Sequence, residues 1–166
     1  MGTGSTGWLW FSALATVWIT PVFVSIPYFG KHFDVKPDAF TAWYFASVGL
    51  GVAVWLCVSG HAADLLPGRP AVVLGIVLVG LVFGTVANSC LFRAVSLAPN
   101  PGLPPVIYSG ASVIVFWGSA LLANYLPRLF AQVNTDIDRF LGILLIIVGV
   151  FLTAGGWPLL KGAAIR

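Results

Sequence analysis

Five apolar stretches, residues 8–29, 40–59, 71–92, 106–126 and 140–160, take up nearly all of the 166-residue chain and hold almost no ionisable group. Each has about the 20 residues that cross about 30 Å of hydrocarbon at about 1.5 Å per residue. Within lipid the backbone must satisfy its own hydrogen bonds, so stretches of this length span as helices. The expectation is one all-α integral membrane domain over residues 1–166, with five transmembrane helices and the lipid bilayer as its solvent.

Charge supports this reading. Charged residues are 8% of the chain, the acids are five Asp with no Glu, and nearly every charge falls between spans; soluble domains carry about 25% charge. The net charge of +3 is small and scattered, and leaves no footprint for nucleic acid. Met1–Gly7 has no basic n-region, so the first span is expected to be retained. On the amino-terminal side of the membrane lie Arg69, Arg128 and Arg139; opposite them lie Lys31, Lys36, Arg93, Lys161 and Arg166. This slight bias places the carboxyl terminus in the cytoplasm, and is small enough for insertion in both orientations.

The chain offers little to an enzyme or an ATP-driven pump. The Asp residues lie in loops without paired-acid spacing, and phosphate-cradling glycine motifs are missing, so no cofactor or metal is expected. His32 and His61 fall in loops and read as solvated side chains. Cys57 and Cys90 share no metal-type spacing and read as small buried apolar residues.

The polar residues inside the spans narrow the possibilities. The first span carries Pro21 and Pro27 among Ser12, Thr16, Thr20 and Ser25, which predicts a kink near Pro21, in a helix bent for packing first and in a mobile or cavity-lining one second. A wet interfacial turn is expected over Gly30–Ala39. The second span places Trp43, Tyr44 and Trp55 near its ends as interfacial anchors. The third holds Gly80 and Gly84, a small-xxx-small pair suited to close helix packing, and Asn88, which at such depth needs a partner: a neighbouring helix or a substrate. Arg93 stands where its stem can snorkel to the head-groups, a reading preferred to a buried anion site. Leu97–Pro105 reads as a rigid, non-helical turn. In the fourth span Tyr108, Ser112 and Ser119 share roughly one face, near Trp117. A polar loop over 132–139 ends in Asp136 and Asp138, either of which suits a helix start, and Gly142 and Gly149 repeat the packing device in the fifth span.

The carboxyl half resembles the EamA-type drug/metabolite transporter superfamily. The likeness rests on Phe92-Arg-Ala-Val-Ser-Leu-Ala-Pro-Asn-Pro-Gly102, on the small-residue-rich helix after it, and on Gly142-Ile-Leu-Leu-Ile-Ile-Val-Gly149-Val. Gly142, Leu145, Ile146 and Gly149 match the family's G-x-x-L-I-x-x-G-V helix in place, whereas the first two spans match in length and order alone. The resemblance implies one five-helix half-repeat of a ten-helix transporter fold, completed by an antiparallel partner copy in a bacterial cytoplasmic (inner) membrane. The acidic residue that many members carry at the end of the fourth helix is missing from Ser119-Ala-Leu-Leu-Ala-Asn124-Tyr-Leu. The first span also lacks the glutamate that related small multidrug exporters use to trade protons for cationic drugs.

These features lead to the expectation of a small-solute permease for a neutral or anionic metabolite, acting as a dual-topology homodimer. Its cavity would lie between the first, third and fourth helices, with Thr16, Asn88, Tyr108, Ser112 and Trp117 as candidate substrate-binding residues. The alternative is a non-transporting accessory or structural subunit of a membrane protein complex, for which the densely apolar spans and seven Trp also speak.

Overall fold

A computed structural model describes residues 7–66, 68–130 and 136–155. Its helices are α1 (Gly7–Phe33), α2 (Pro37–Val58), α3 (Pro70–Leu97), α4 (Leu103–Tyr125) and α5 (Ile137–Thr153), with a short 3₁₀ turn at Ala62–Leu65. Four of them, α1 to α4, are long and apolar enough to cross a membrane. The 17 residues of α5 begin the fifth expected span; residues 156–160 of that span, with Trp157, lie outside the described residues, as do Lys161, Arg166 and 132–135 of the polar loop.

The helices run past the hydrocarbon limits set by hydropathy, because backbone hydrogen bonding continues into the interface. The wet turn expected over Gly30–Ala39 shrinks to residues 34–36, and His32 lies in the last turn of α1, stacked on Tyr28 with ring centroids 4.6 Å apart. Asp34 makes the reversal with a left-handed φ of 54°, a conformation Asp tolerates better than most L-residues. Proline begins α2 at Pro37 and α3 at Pro70, where its missing N–H costs nothing and its φ is already helical. The same rule corrects the non-helical reading of Leu97–Pro105. Leu97 ends α3, and Leu103, Pro104 and Pro105 form the first turn of α4, so the irregular link is confined to 98–102. Asp136 occupies the cap position of α5, yet its carboxylate makes no capping hydrogen bond.

The chain divides into two compact units, Met1–Pro101 and Gly102–Arg166. In the first, α3 packs against both α1 and α2. Their alternating directions bring the end of α1, the start of α2 and the end of α3 together. The apolar core forms there, from Ile26, Leu91, Phe92 and Val95, with Val22, Phe23, Phe40 and Tyr44 packed around it. Phe92 is its centre: the ring lies 5.8 Å from Phe40, 5.8 Å from Tyr44 and 6.0 Å from Phe45, centroid to centroid. Away from this end, Trp10 and Phe11 on α1, Leu50 and Trp55 on α2, and Leu74 and Ile76 on α3 are all exposed. Lipid tails are as apolar as leucine, so these side chains gain little by turning inward. For the same reason Cys57 and Cys90 are exposed rather than buried as expected. The first helix runs unbroken through Pro21 and Pro27, with Thr16 and Thr20 donating to the carbonyls of Ser12 and Thr16 at 2.9 Å each.

In the second unit, the Leu103–Ser109 segment of α4 packs on α5. At Gly110 the helix tightens, its N–H bonding the Ile107 carbonyl at 3.0 Å. A Cβ at this position would stand 3.1 Å from that oxygen, which is the reason a glycine suits the break. Past it, Ser112, Val113 and Phe116 of α4 and Arg139, Gly142, Ile143 and Ile146 of α5 border a groove of about 310 Å³.

Candidate functional site

A concavity of about 630 Å³ opens between α2 and α3 in the first unit. From α2 come Asp38, Thr41, Ala42 and Phe45, an i, i+3, i+4, i+7 stripe that shares one helical face. From α3 come Gly80, Gly84, Thr85, Asn88 and Ser89, again one face. The two glycines hollow the α3 wall, since neither presents a side chain.

Between them the backbone departs from α geometry. Residues Gly80–Gly84 form a π turn in which the Thr85 N–H reaches back to the Gly80 carbonyl. The Thr85 hydroxyl donates to the same oxygen at 3.3 Å. Single π turns within α-helices recur at functional sites. Glycine's low helical propensity helps here, because the turn displaces less side-chain packing and less intrinsic helix stability than it would elsewhere. One turn onward, the half-buried Asn88 donates from Nδ2 to the Gly84 carbonyl at 2.7 Å. An Asn amide carries two donors and an acceptor, so this bond uses one of its three hydrogen-bonding roles.

At the end formed by the start of α2, Asp38 and Thr41 are lining residues. Arg93, one turn beyond Ser89 on α3, grips Asp38 in a two-pronged pair: Nε donates to Oδ1 at 2.9 Å and Nη2 donates to Oδ2. Phe45 adds apolar surface with Ala42 and the glycines, its ring held against Phe92 at an interplanar angle of 23°. The lining therefore combines a carboxylate, hydroxyls and an amide with apolar surface.

Of the residues singled out from sequence, the structure brings Asn88, Gly80 and Gly84 to this one cavity. The opposite wall belongs to α2 rather than to α1. Thr16 is exposed on α1 and its hydroxyl is engaged with its own helix. Tyr108, Ser112 and Trp117 belong to the second unit. There Ser112 donates to the Ser109 carbonyl at 2.6 Å and borders the groove beside Gly142, while Tyr108 and Trp117 are exposed and Trp117 stands edge-on to Phe116. Among the described residues the packing glycines meet no close neighbour. A Cβ at Gly80, Gly142 or Gly149 would have nothing within 4 Å, and one at Gly84 would meet only the Val79 carbonyl, at 4.0 Å.

Sequence reading missed Asp38, Thr41, Phe45, Thr85 and Ser89. The spacing 38, 41, 42, 45 was a legible signal of a shared face. Arg93 does not simply snorkel: its guanidinium is held by a carboxylate 55 residues away in sequence, a pairing that local pattern does not reveal. Comparison of the chain with protein-family models, with curated proteins and with solved structures gives no match.

Proposed function

We propose that the protein is a permease for a small neutral or anionic solute, of the EamA-like kind, in which two antiparallel copies in a bacterial inner membrane together enclose the path. The observation that carries this reading is the cavity between α2 and α3, where Asn88 holds spare hydrogen-bonding capacity beside a π turn. Polar side chains at membrane depth mark substrate pathways more often than lipid-facing surfaces. Reconstituted protein is expected to accelerate uptake of at least one member of a panel of labelled sugars, amino acids and carboxylates. Asn88→Ala should lower that uptake about tenfold, the worth of a hydrogen bond or so in a dry site, with unchanged expression. Uptake by Asn88→Ala equal to that of the parent would remove Asn88 from the path.

The second reading is an accessory subunit that keeps the helices without moving a solute. The exposed apolar side chains on α1, α2 and α3 favour it. Co-purification with a larger complex at fixed stoichiometry, together with inert proteoliposomes, would decide for it.

A further inference from the structure

One charged residue, Asp38, lines the cavity, and its ion-pair partner Arg93 stands beside the lining. Asp38 lies in the first turn of α2, where the helix dipole favours an anion. Facing it is the Arg93 fork, engaged by both carboxylate oxygens. A planar guanidinium fork matches any carboxylate, and Arg is better suited than Lys to such two-pronged binding. Both side chains are more than half exposed, at 61% for Arg93 and 54% for Asp38. An exposed ion pair is weakly held, so an incoming anion can exchange with the resident carboxylate. The rest of the lining sets Thr41, Thr85, Asn88 and Ser89 beside apolar surface from Ala42, Phe45 and the bare backbone of Gly80 and Gly84. The cavity's volume falls in the range typical of small-molecule pockets, about 300–1,000 Å³.

We propose that the cavity between α2 and α3 takes a small amphipathic carboxylate, whose head displaces Asp38 from the Arg93 fork and whose apolar body lies along Phe45 and the Gly80–Gly84 backbone. This rests on reading the cavity as a solute site, and it fixes the solute's class. Asp38 then serves as a built-in stand-in for the ligand. It keeps the guanidinium paired when the site is empty and is released to solvent when the site fills.

The test uses the full chain in lipid nanodiscs and equilibrium dialysis of three labelled probes, benzoate, phenylacetate and hexanoate, each beside its primary amide. The parent protein should bind at least one carboxylate about tenfold or more tightly than its amide. Removing the competitor in Asp38→Asn should tighten carboxylate binding further. Arg93→Lys, which keeps the charge and loses the fork, should abolish the preference. If amides bind as well as acids, or Asp38→Asn fails to tighten binding, the ion pair is a clamp between helices and the proposal falls. Uptake of a neutral solute without carboxylate binding overturns the carboxylate site and leaves the permease reading standing. Carboxylate binding in nanodiscs without uptake into liposomes upholds the site and removes the permease.

Discussion

Phe92→Ala should be the most damaging single truncation in the first unit. Phe92 is 3% exposed, and its ring sits about 6 Å from those of Phe40, Tyr44 and Phe45. Each such ring pair is worth about 0.5–1.5 kcal/mol beyond area burial. In a water-soluble core the same truncation costs about 3–5 kcal/mol, part of which is transfer from water. That part largely vanishes when lipid is the alternative solvent, so the loss of ring contacts and the cavity left behind set the expectation at about 2–4 kcal/mol. Titration of purified protein with SDS in mixed micelles measures it, the seven Trp of the chain supplying the fluorescence signal. Leu81→Ala, on the same helix but 62% exposed, is the internal control and should stay within about 0.5 kcal/mol of the parent. Equal shifts for the two variants would mean that no packed centre exists where α1, α2 and α3 meet, and the cavity wall built on Phe45 would lose its support.

Two smaller perturbations probe the rest of the chain. Asp34 holds a positive φ, so Asp34→Val should lower the SDS-unfolding free energy by about 1–2 kcal/mol while Asp34→Gly leaves it equal or higher; equal effects would argue against the left-handed turn. Among the described residues nothing crowds Gly149, so Gly149→Ile should leave unfolding nearly unchanged; if two copies meet through this helix face, energy transfer between labelled copies in liposomes falls about tenfold or more, because a close helix crossing admits only small side chains. Unaltered transfer would remove Gly149 from the pairing surface.

The membrane helices were legible because twenty-residue apolar runs leave the backbone one choice. Their ends were not. Hydropathy marks the edge of hydrocarbon, whereas α1 continues to Phe33 and α3 to Leu97, through Lys31 and Arg93, whose charges sit comfortably at the interface. The proline-rich link misled for a related reason: Pro104 and Pro105 break a helix from within but begin one without cost. At the site, Asn88 and the glycine pair announced themselves as polar and small residues in an apolar run. Asp38 did not, since as an interfacial acid it looks like any loop charge until folding brings Arg93 to it. Fates of thiols and aromatics inside the spans were also illegible, because lipid removes the penalty that would otherwise sort apolar side chains into inner and outer ones.

Where the first unit concentrates its packing, at the meeting of Ile26, Leu91, Phe92 and Val95, sequence drift will be slow. At the far end of the same helices, one greasy residue should replace another freely over evolutionary time. A survey of tolerated substitutions across descendants of this chain would then trace a gradient along the membrane normal, steep at one leaflet and flat at the other.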